Sequence, residues 1–313
     1  MMSVVLPAYN EGENIRYAAQ EIGKVLQEAE IPYELLFVDD GSKDDTWEQI
    51  VVQNSLTPCV RGVSFSRNFG KEAAILAGLA CSKGDCVAVM DCDLQHPAQT
   101  LPQMYALWQQ GYQVVEGIKA SRGRENPIHR GFAKLFYGIQ TRLSGIPMQD
   151  SSDFKLMDRC VVDVLNRLPE KNTFFRALSF WAGFRTTKLE YYVQERAHGT
   201  SKWNGAALVK YAINNITSFS SAPLQLITLL GTITLLAGGV LGIQTLVHWL
   251  TGNAVEGFTT VILLLLLIGG AIMMSLGIIG HYIAKIYDEI KGRPRYIVAR
   301  ETSVQTSQEQ EQH

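Results

Sequence analysis

Residues 211–255 contain no Asp, Glu, Lys or Arg, and neither do residues 257–284. Within these stretches lie two apolar runs, 224–250, which begins just after Pro223, and 258–283. Each exceeds the roughly 20 apolar residues that a helix needs to cross the hydrocarbon core of a bilayer. Helices buried in a soluble core would be the plainer reading, but such helices rarely run this far without a charge. Two membrane spans are therefore expected. Their glycines (Gly238, Gly239 and Gly242; Gly269, Gly270, Gly277 and Gly280) are expected to let them pack closely. Lys202 and Lys210 precede the first run, Lys285, Lys291, Arg293 and Arg295 follow the second, and the loop 251–257 carries one Glu and no base. The positive-inside rule then puts both termini on the cytoplasmic face, with the chain multi-pass in the cell's inner (cytoplasmic) membrane. The opening Met1-Met2-Ser3-Val4 enters an apolar run without a basic segment, so no signal peptide is expected.

Whole-chain composition hides this layout. A 47% hydrophobic content and a mean hydropathy of +0.03 would suit a soluble enzyme, because they average a polar region with two charge-free runs. The net charge of −2 lacks the basic excess of a nucleic-acid binder. Five cysteines, an odd number without C-x-x-C spacing, point to reduced thiols rather than a disulfide framework or a zinc ribbon.

The polar two-thirds alternates β-rich runs with helical patterns. Strands are expected over 4–8, 34–38, 63–65 and 86–90, and helices over 14–30, from 44, over 72–81 and after Pro97. Near-continuous apolar strands separated by helices predict an α/β domain, Rossmann-like, around a mostly parallel sheet covered on both faces. Ligands of such sheets bind at the carboxyl ends of the strands, where the polar clusters of this chain fall. Farther on, 174–184 reads as a helix and 188–194 as a strand, while 203–221 mixes apolar and polar residues as an interfacial helix would. The expected organisation is a cytoplasmic catalytic domain over 1–200, an interfacial segment over 201–221, two spans within 222–285, and a cytoplasmic end over 286–313. Residues 302–313, rich in Gln, Glu, Ser and Thr, are expected to be disordered.

Three clusters carry chemistry. Asp91-Cys92-Asp93-Leu94-Gln95 follows a strand and places two carboxylates where a cation or hydrogen-bond donors must offset their repulsion. A hard divalent metal that keeps several waters and bridges to a diphosphate would suit them; turn and helix-capping acids would look the same. Asp39-Asp40-Gly41-Ser42 is either a strand-to-helix turn with Ser42 or Asp44 as a cap, or a carboxylate site for a nucleotide. Ser66-Arg67-Asn68-Phe69-Gly70-Lys71 brings cations and a glycine to another strand end, as a phosphate site or as a solvated turn.

Together with Pro7-Ala8-Tyr9-Asn10-Glu11, these clusters resemble the GT-A nucleotide-sugar transferases of glycosyltransferase family 2. The run Ser66–Ala74, Asp153-Phe154-Lys155-Leu156-Met157-Asp158-Arg159, the pattern Glu195-Arg196-x-x-Gly199-x-Ser201-Lys202-Trp203, and Gly292-Arg293-Pro294-Arg295-Tyr296-Ile297-Val298 are similar to the polyprenyl-phosphate subgroup. That subgroup includes the bactoprenol glucosyltransferases and the dolichyl-phosphate mannose synthases. The resemblance implies that Pro7, Tyr9, Glu11, Lys71 and Asp39 or Asp40 hold the nucleotide. It also implies that Asp91 contacts ribose or metal, that Asp93 binds Mg²⁺ or Mn²⁺, that Gln95 lies near the sugar and that Asp153 reaches the reaction centre. Arg196, Ser201 and Lys202 would bind the acceptor phosphate, joined by Arg122 and Arg124 from a glycine-punctuated basic loop over 117–131 that could close over the cleft.

The implied reaction is a single inverting displacement, from a nucleotide sugar to undecaprenyl phosphate. UDP-glucose is the first candidate donor and UDP-N-acetylglucosamine the next. Glycine-bearing spans make a homo-oligomer an expected state. A processive polysaccharide synthase is disfavoured, because no Gln-x-x-Arg-Trp element is present. A degraded GT-A domain serving as a membrane scaffold is the rival from another class. The one departure that favours it is His96, where the family commonly has Asp in Asp-Leu-Gln-Asp-Pro. His96 reads either as a histidine on a surface turn or as altered surroundings for the metal.

Overall fold

In a computed structural model of the protein, the described residues are 1–120, 152–170, 175–192, 222–251 and 257–302. They divide into two compact units, Met1–Trp203 with Pro294–His313, and Asn204–Arg293.

The first unit is built on an eight-stranded sheet in the order β7-β5-β6-β4-β1-β2-β3-β8. Its centre follows the alternation of the sequence. Strands β1 (Met2–Ala8), β2 (Tyr33–Asp39), β3 (Val60–Phe65) and β4 (Cys86–Val89) pair in parallel, linked by helices α1 (Gly12–Glu28), α2 (Thr46–Leu56) and α3 (Lys71–Cys81). Val4, Val5, Leu6, Leu35, Leu36, Phe37 and Val38 are all fully buried. Consecutive strand residues point to opposite faces, so burial of both parities means that helices cover both faces. The register brings Ala8 beside Asp39 and Val5 beside Val89, which lines up the carboxyl ends of the central strands.

The flanks make the sheet mixed. After α4 (Thr100–Gln109), β5 (Val114–Lys119) and β6 (Lys155–Asp158) pair antiparallel, and β6 also runs antiparallel to β4. Helices α5 (Arg159–Arg167) and α6 (Phe175–Trp181) precede β7 (Thr186–Tyr191), which lies parallel to β5. Strands β5 and β6 carry Glu116 and Lys155 inside the fold and so show no unbroken apolar run in the sequence; tertiary pairing supplies what their local pattern lacks. The expected helix over 174–184 is observed as α6, inside those bounds, and the expected strand over 188–194 begins two residues earlier, as β7; residues 174, 193 and 194 lie outside the described residues.

The second unit holds α7 (Ala222–Leu250) and α8 (Phe258–Ile290). Each contains a stretch long and apolar enough to cross a membrane, Pro223–Thr245 and Leu267–Ile290. Among the described residues the expected close packing on glycine is not seen. A Cβ added at Gly238, Gly239, Gly242, Gly269, Gly270, Gly277 or Gly280 would meet no atom within 4 Å, so these glycines face open space.

The chain after α8 rejoins the first unit. Strand β8 (Val298–Glu301) pairs antiparallel with β3, and the Ile297 carbonyl accepts from Ser66 N–H at 3.0 Å. Thr302, expected at the head of a disordered tail, is buried; its Oγ1 accepts from Gly62 N–H at 2.9 Å. The expected interfacial helix over 203–221 and the rest of the expected tail lie outside the described residues.

Candidate active site

The loops after β1 and β2 are stitched together. Asn10 adopts φ 54°, a left-handed conformation that Asn tolerates. Its backbone N–H donates to Ser42 Oγ and its Oδ1 accepts from Lys43 N–H, both at 2.9 Å. Glu11 N–H donates to Thr46 Oγ1 at 2.9 Å, and Gly12 N–H to Asp44 Oδ2 at 3.2 Å. The loop carrying Tyr9 and Glu11 is therefore fixed by the start of α2. Asn10 belongs to the family-like motif over 7–11, whereas Asp44 and Thr46 carry only turn chemistry in the sequence.

The adjacent aspartates divide their labour. Asp39 is fully buried and accepts from Ser42 N–H at 2.9 Å and Ser64 Oγ–H at 2.7 Å, so it points into the fold. Asp40 accepts from the N–H groups of Phe69 at 2.6 Å and Gly70 at 2.9 Å, which ties β2 to the loop leading into α3. Burial pushes the Asp40 carboxyl up, and these two donors only partly oppose it. Gly41, at φ +64°, makes the close approach possible, because a Cβ there would collide with the backbone of Arg67.

A cleft of about 420 Å³ opens at these strand ends, lined by Pro7, Tyr9, Glu11, Asp40, Lys71, Asp91 and Asp93, among others. Asn68 and Gly70, from the third of the sequence clusters, also line it. Cys92 is turned away from the solvent, its thiol 3.4 Å from the Pro7 carbonyl. Gln95 is half-buried and its N–H donates to Asp93 Oδ1 at 3.2 Å, so it caps the acidic turn through its backbone.

Asp91 and Asp153 share one lysine. Lys71 Nζ lies 2.6 Å from Asp91 Oδ1 and 3.1 Å from Asp153 Oδ2. Asp153 is gripped again by Arg176, whose Nε and Nη2 donate to its two oxygens at 2.7 and 2.9 Å. Burial alone would raise both carboxyls. The Lys71 charge nevertheless holds Asp91 well below the usual carboxylate range, and Arg176 with Lys71 brings Asp153 down to about 2. Burial tends to neutralise Lys71, but the Asp91 and Asp153 charges dominate and hold it above its ordinary value.

Arg176 was missed in the sequence, and it is set in place from beneath. Buried Lys155 pairs with Glu116 at 3.0 Å and donates to Ser179 Oγ at 2.6 Å, so β5, β6 and α6 meet below the Asp153–Arg176 fork. His96 is 7% exposed and is no surface-turn residue. Its ring stacks on Phe154 at 4.8 Å, meets Tyr191 edge-on at 5.3 Å, and presents Nε2 to Asp91 Oδ2 at 3.8 Å.

Asp91 and Asp93 suit an open metal site. Among the described residues no three His, Cys, Asp or Glu side chains gather into a closed cage. A hard cation that keeps waters and shares substrate phosphates needs only one or two carboxylates, and both of these line the cleft. Arg122, Arg124, Arg196, Ser201 and Lys202, together with 121–131 of the expected closing loop, lie outside the described residues.

Comparison with known proteins agrees with this architecture. The family described as Glycosyl transferase family 2 matches residues 3–165. The uncharacterized glycosyltransferase YkcC of Bacillus subtilis is 37% identical, over 97% of this chain and 94% of that protein. The SfII prophage-derived bactoprenol glucosyl transferase of Shigella flexneri is 36% identical, over 96% of this chain and 97% of that protein. A solved glucosyl-3-phosphoglycerate synthase from Mycobacterium tuberculosis, in complex with Mn²⁺, UDP-glucose and phosphoglyceric acid, is 23% identical. It superposes with a TM-score of 0.48 over 70% of this chain and 79% of that one, a likeness too distant to argue from.

Proposed function

The chain belongs to glycosyltransferase family 2 and has its GT-A fold, and from that premise we propose that it moves glucose from UDP-glucose to a polyprenyl phosphate at a membrane surface. The observation that carries this reading is the cleft at the strand ends, where Asp91, Asp93 and Lys71 lie beside the stitched loops of Tyr9, Glu11 and Asp40, with Asp153 and Arg176 joined to them through Lys71. The bactoprenol glucosyl transferase relatives, matched over nearly their whole length, supply the acceptor class and the sugar.

The nucleotide would lie against Pro7, Tyr9, Glu11 and Asp40, on a surface made rigid by the cross-loop hydrogen bonds. A phosphate monoester with a second pKa of about 6 is largely anionic at neutral pH, so its oxygen attacks the anomeric carbon without a strong general base. The new bond is from the acceptor's phosphate oxygen to that carbon, the broken bond is to the UDP oxygen, and configuration inverts. The obstacle is that two anions must meet, which places the demand on fixed cations. Lys71 and Arg176 provide these among the described residues, and Arg122, Arg124, Arg196, Ser201 and Lys202 are proposed for the acceptor phosphate. Mg²⁺ or Mn²⁺ held by Asp91 and Asp93 would supply neutralisation of the departing diphosphate. Asp153, held ionised by Arg176 and Lys71, orients those cations. Helices α7 and α8 would keep the enzyme in the bilayer that contains its lipid acceptor, with the catalytic unit on the cytoplasmic side.

The test is release of UDP by the purified full chain in detergent, with undecaprenyl phosphate and either UDP-glucose or UDP-N-acetylglucosamine. Metal-dependent release with UDP-glucose is expected, and Asp93→Asn should abolish it while the fold persists. Full activity in that variant would remove Asp93 from the metal site, and preference for the N-acetylated donor would reassign the sugar.

A further inference from the structure

Lys71 is placed as a competitor of the metal. Its ammonium is the closest charge to Asp91, at 2.6 Å, and it also reaches Asp153 at 3.1 Å. The two carboxylates differ in what would remain if it left. Asp153 keeps the two-point fork of Arg176, whereas among the described residues Asp91 keeps the more distant Nε2 of His96, at 3.8 Å. Departure of Lys71 would therefore uncover the charge of Asp91 and leave that of Asp153 offset. Lys71 also has solvent beside it: its side chain is 43% exposed, and it opens α3 directly after Gly70. An ammonium on a flexible stem exchanges partners more readily than a guanidinium locked in a fork.

We propose that Lys71 is an internal counter-cation of Asp91 that the divalent metal must displace, and that the displaced ammonium then binds the diphosphate of the donor. This rests on the metal reading given above. The exchange is balanced in charge, since the metal takes over the carboxylate as the lysine moves to the anion arriving with it. It makes metal and nucleotide sugar bind as mutual helpers, because each removes the cost that Lys71 imposes on the other.

The experiment is Mn²⁺ binding to the full chain in detergent, followed by electron paramagnetic resonance, without nucleotide and then with UDP. Without UDP, Lys71→Met should bind Mn²⁺ about fivefold more tightly than the natural protein, the equivalent of one partly exposed ion pair. Lys71→Arg, which keeps the charge but exchanges partners less readily, should bind no more tightly than the natural protein, and tightening in it would overturn the proposal. With UDP present, Lys71→Met should lose most of the help that nucleotide gives to the metal. Arg67→Met is the control, because Arg67 belongs to the same loop but lies over the Phe69 ring and not on Asp91. Equal tightening in Arg67→Met would make the effect long-range charge and overturn the proposal, as would unchanged or weaker binding in Lys71→Met. Asp93→Asn separates the two ideas. If it binds Mn²⁺ as the natural protein does, or if no form binds Mn²⁺, the metal reading fails and the exchange falls with it. Loss of binding in Asp93→Asn beside an unchanged Lys71→Met overturns the exchange alone.

Discussion

Glu72, next to Lys71, is a carboxyl whose surroundings favour its proton. Burial is the main cause and the Asp153 charge adds to it; the Phe175 N–H, at 2.8 Å, and Arg176 oppose them, and the carboxyl settles at about 7 instead of 4.5. Between those two values the folded chain holds a proton that the unfolded chain has released, so stability falls as pH rises through that window. Glu72→Gln keeps an acceptor for Phe175 and removes the titration. It is expected to melt higher than the natural protein at pH 8, with the difference closing towards pH 5; thermal melts at both values check this. His96 is read differently, through packing. With its ring between Phe154 and Tyr191, His96→Ala should cost about 2 kcal/mol of stability, by loss of a buried ring and of the contacts around it. A chemical melt of the variant measures that loss, and a cost near zero would return the residue to the surface.

Among the elements, β8 has the least support in its own sequence and much support from its neighbours. All four of its residues are exposed, so no apolar alternation marks it. It is held by the β3 ladder, by Tyr296 stacked on Phe65 at 5.0 Å, and by Arg300 over Trp47 at 4.9 Å. Phe65 in turn meets Phe69 edge-on at 5.8 Å, and Phe69 N–H donates to Asp40, so the chain after α8 braces the loop that lines the cleft. Tyr296→Ala should therefore lower stability by about 1 kcal/mol and also weaken UDP binding. Calorimetric titration with UDP separates this from mere softening of an edge strand, which would leave the affinity unchanged. The parallel centre was legible for the opposite reason. Strands β1, β2 and β4 are buried on both faces and show as unbroken apolar runs whatever they pair with. Strands β5 and β6 carry the polar Glu116 and Lys155 inside the fold, where each satisfies the other, so their pattern conceals their burial.

At the level of the whole molecule, the two long apolar helices bear on the solvent in which the protein works. Leu235 and Leu236, near the middle of α7, are 76% and 66% exposed, and a face of this kind is stable only against lipid or another apolar surface. Leu235→Arg places a charge near the centre of that helix at a cost of about 3 kcal/mol for insertion. The variant is expected to move from the membrane pellet to the carbonate-extractable fraction, whereas the natural protein stays in the pellet. Two helices long and apolar enough to cross a membrane, the parallel α/β centre and the acidic and basic clusters at strand ends all followed from the sequence, because hydropathy and periodicity act over neighbouring residues. The sharing of Lys71 by Asp91 and Asp153, the fork of Arg176, the burial of His96, the inward turn of Asp39 and the return of β8 to the sheet were decided by tertiary structure. Each joins residues far apart in the chain, and the physical reason is the same throughout: a buried polar group must find its partner wherever the fold brings one, and no local pattern records where that will be.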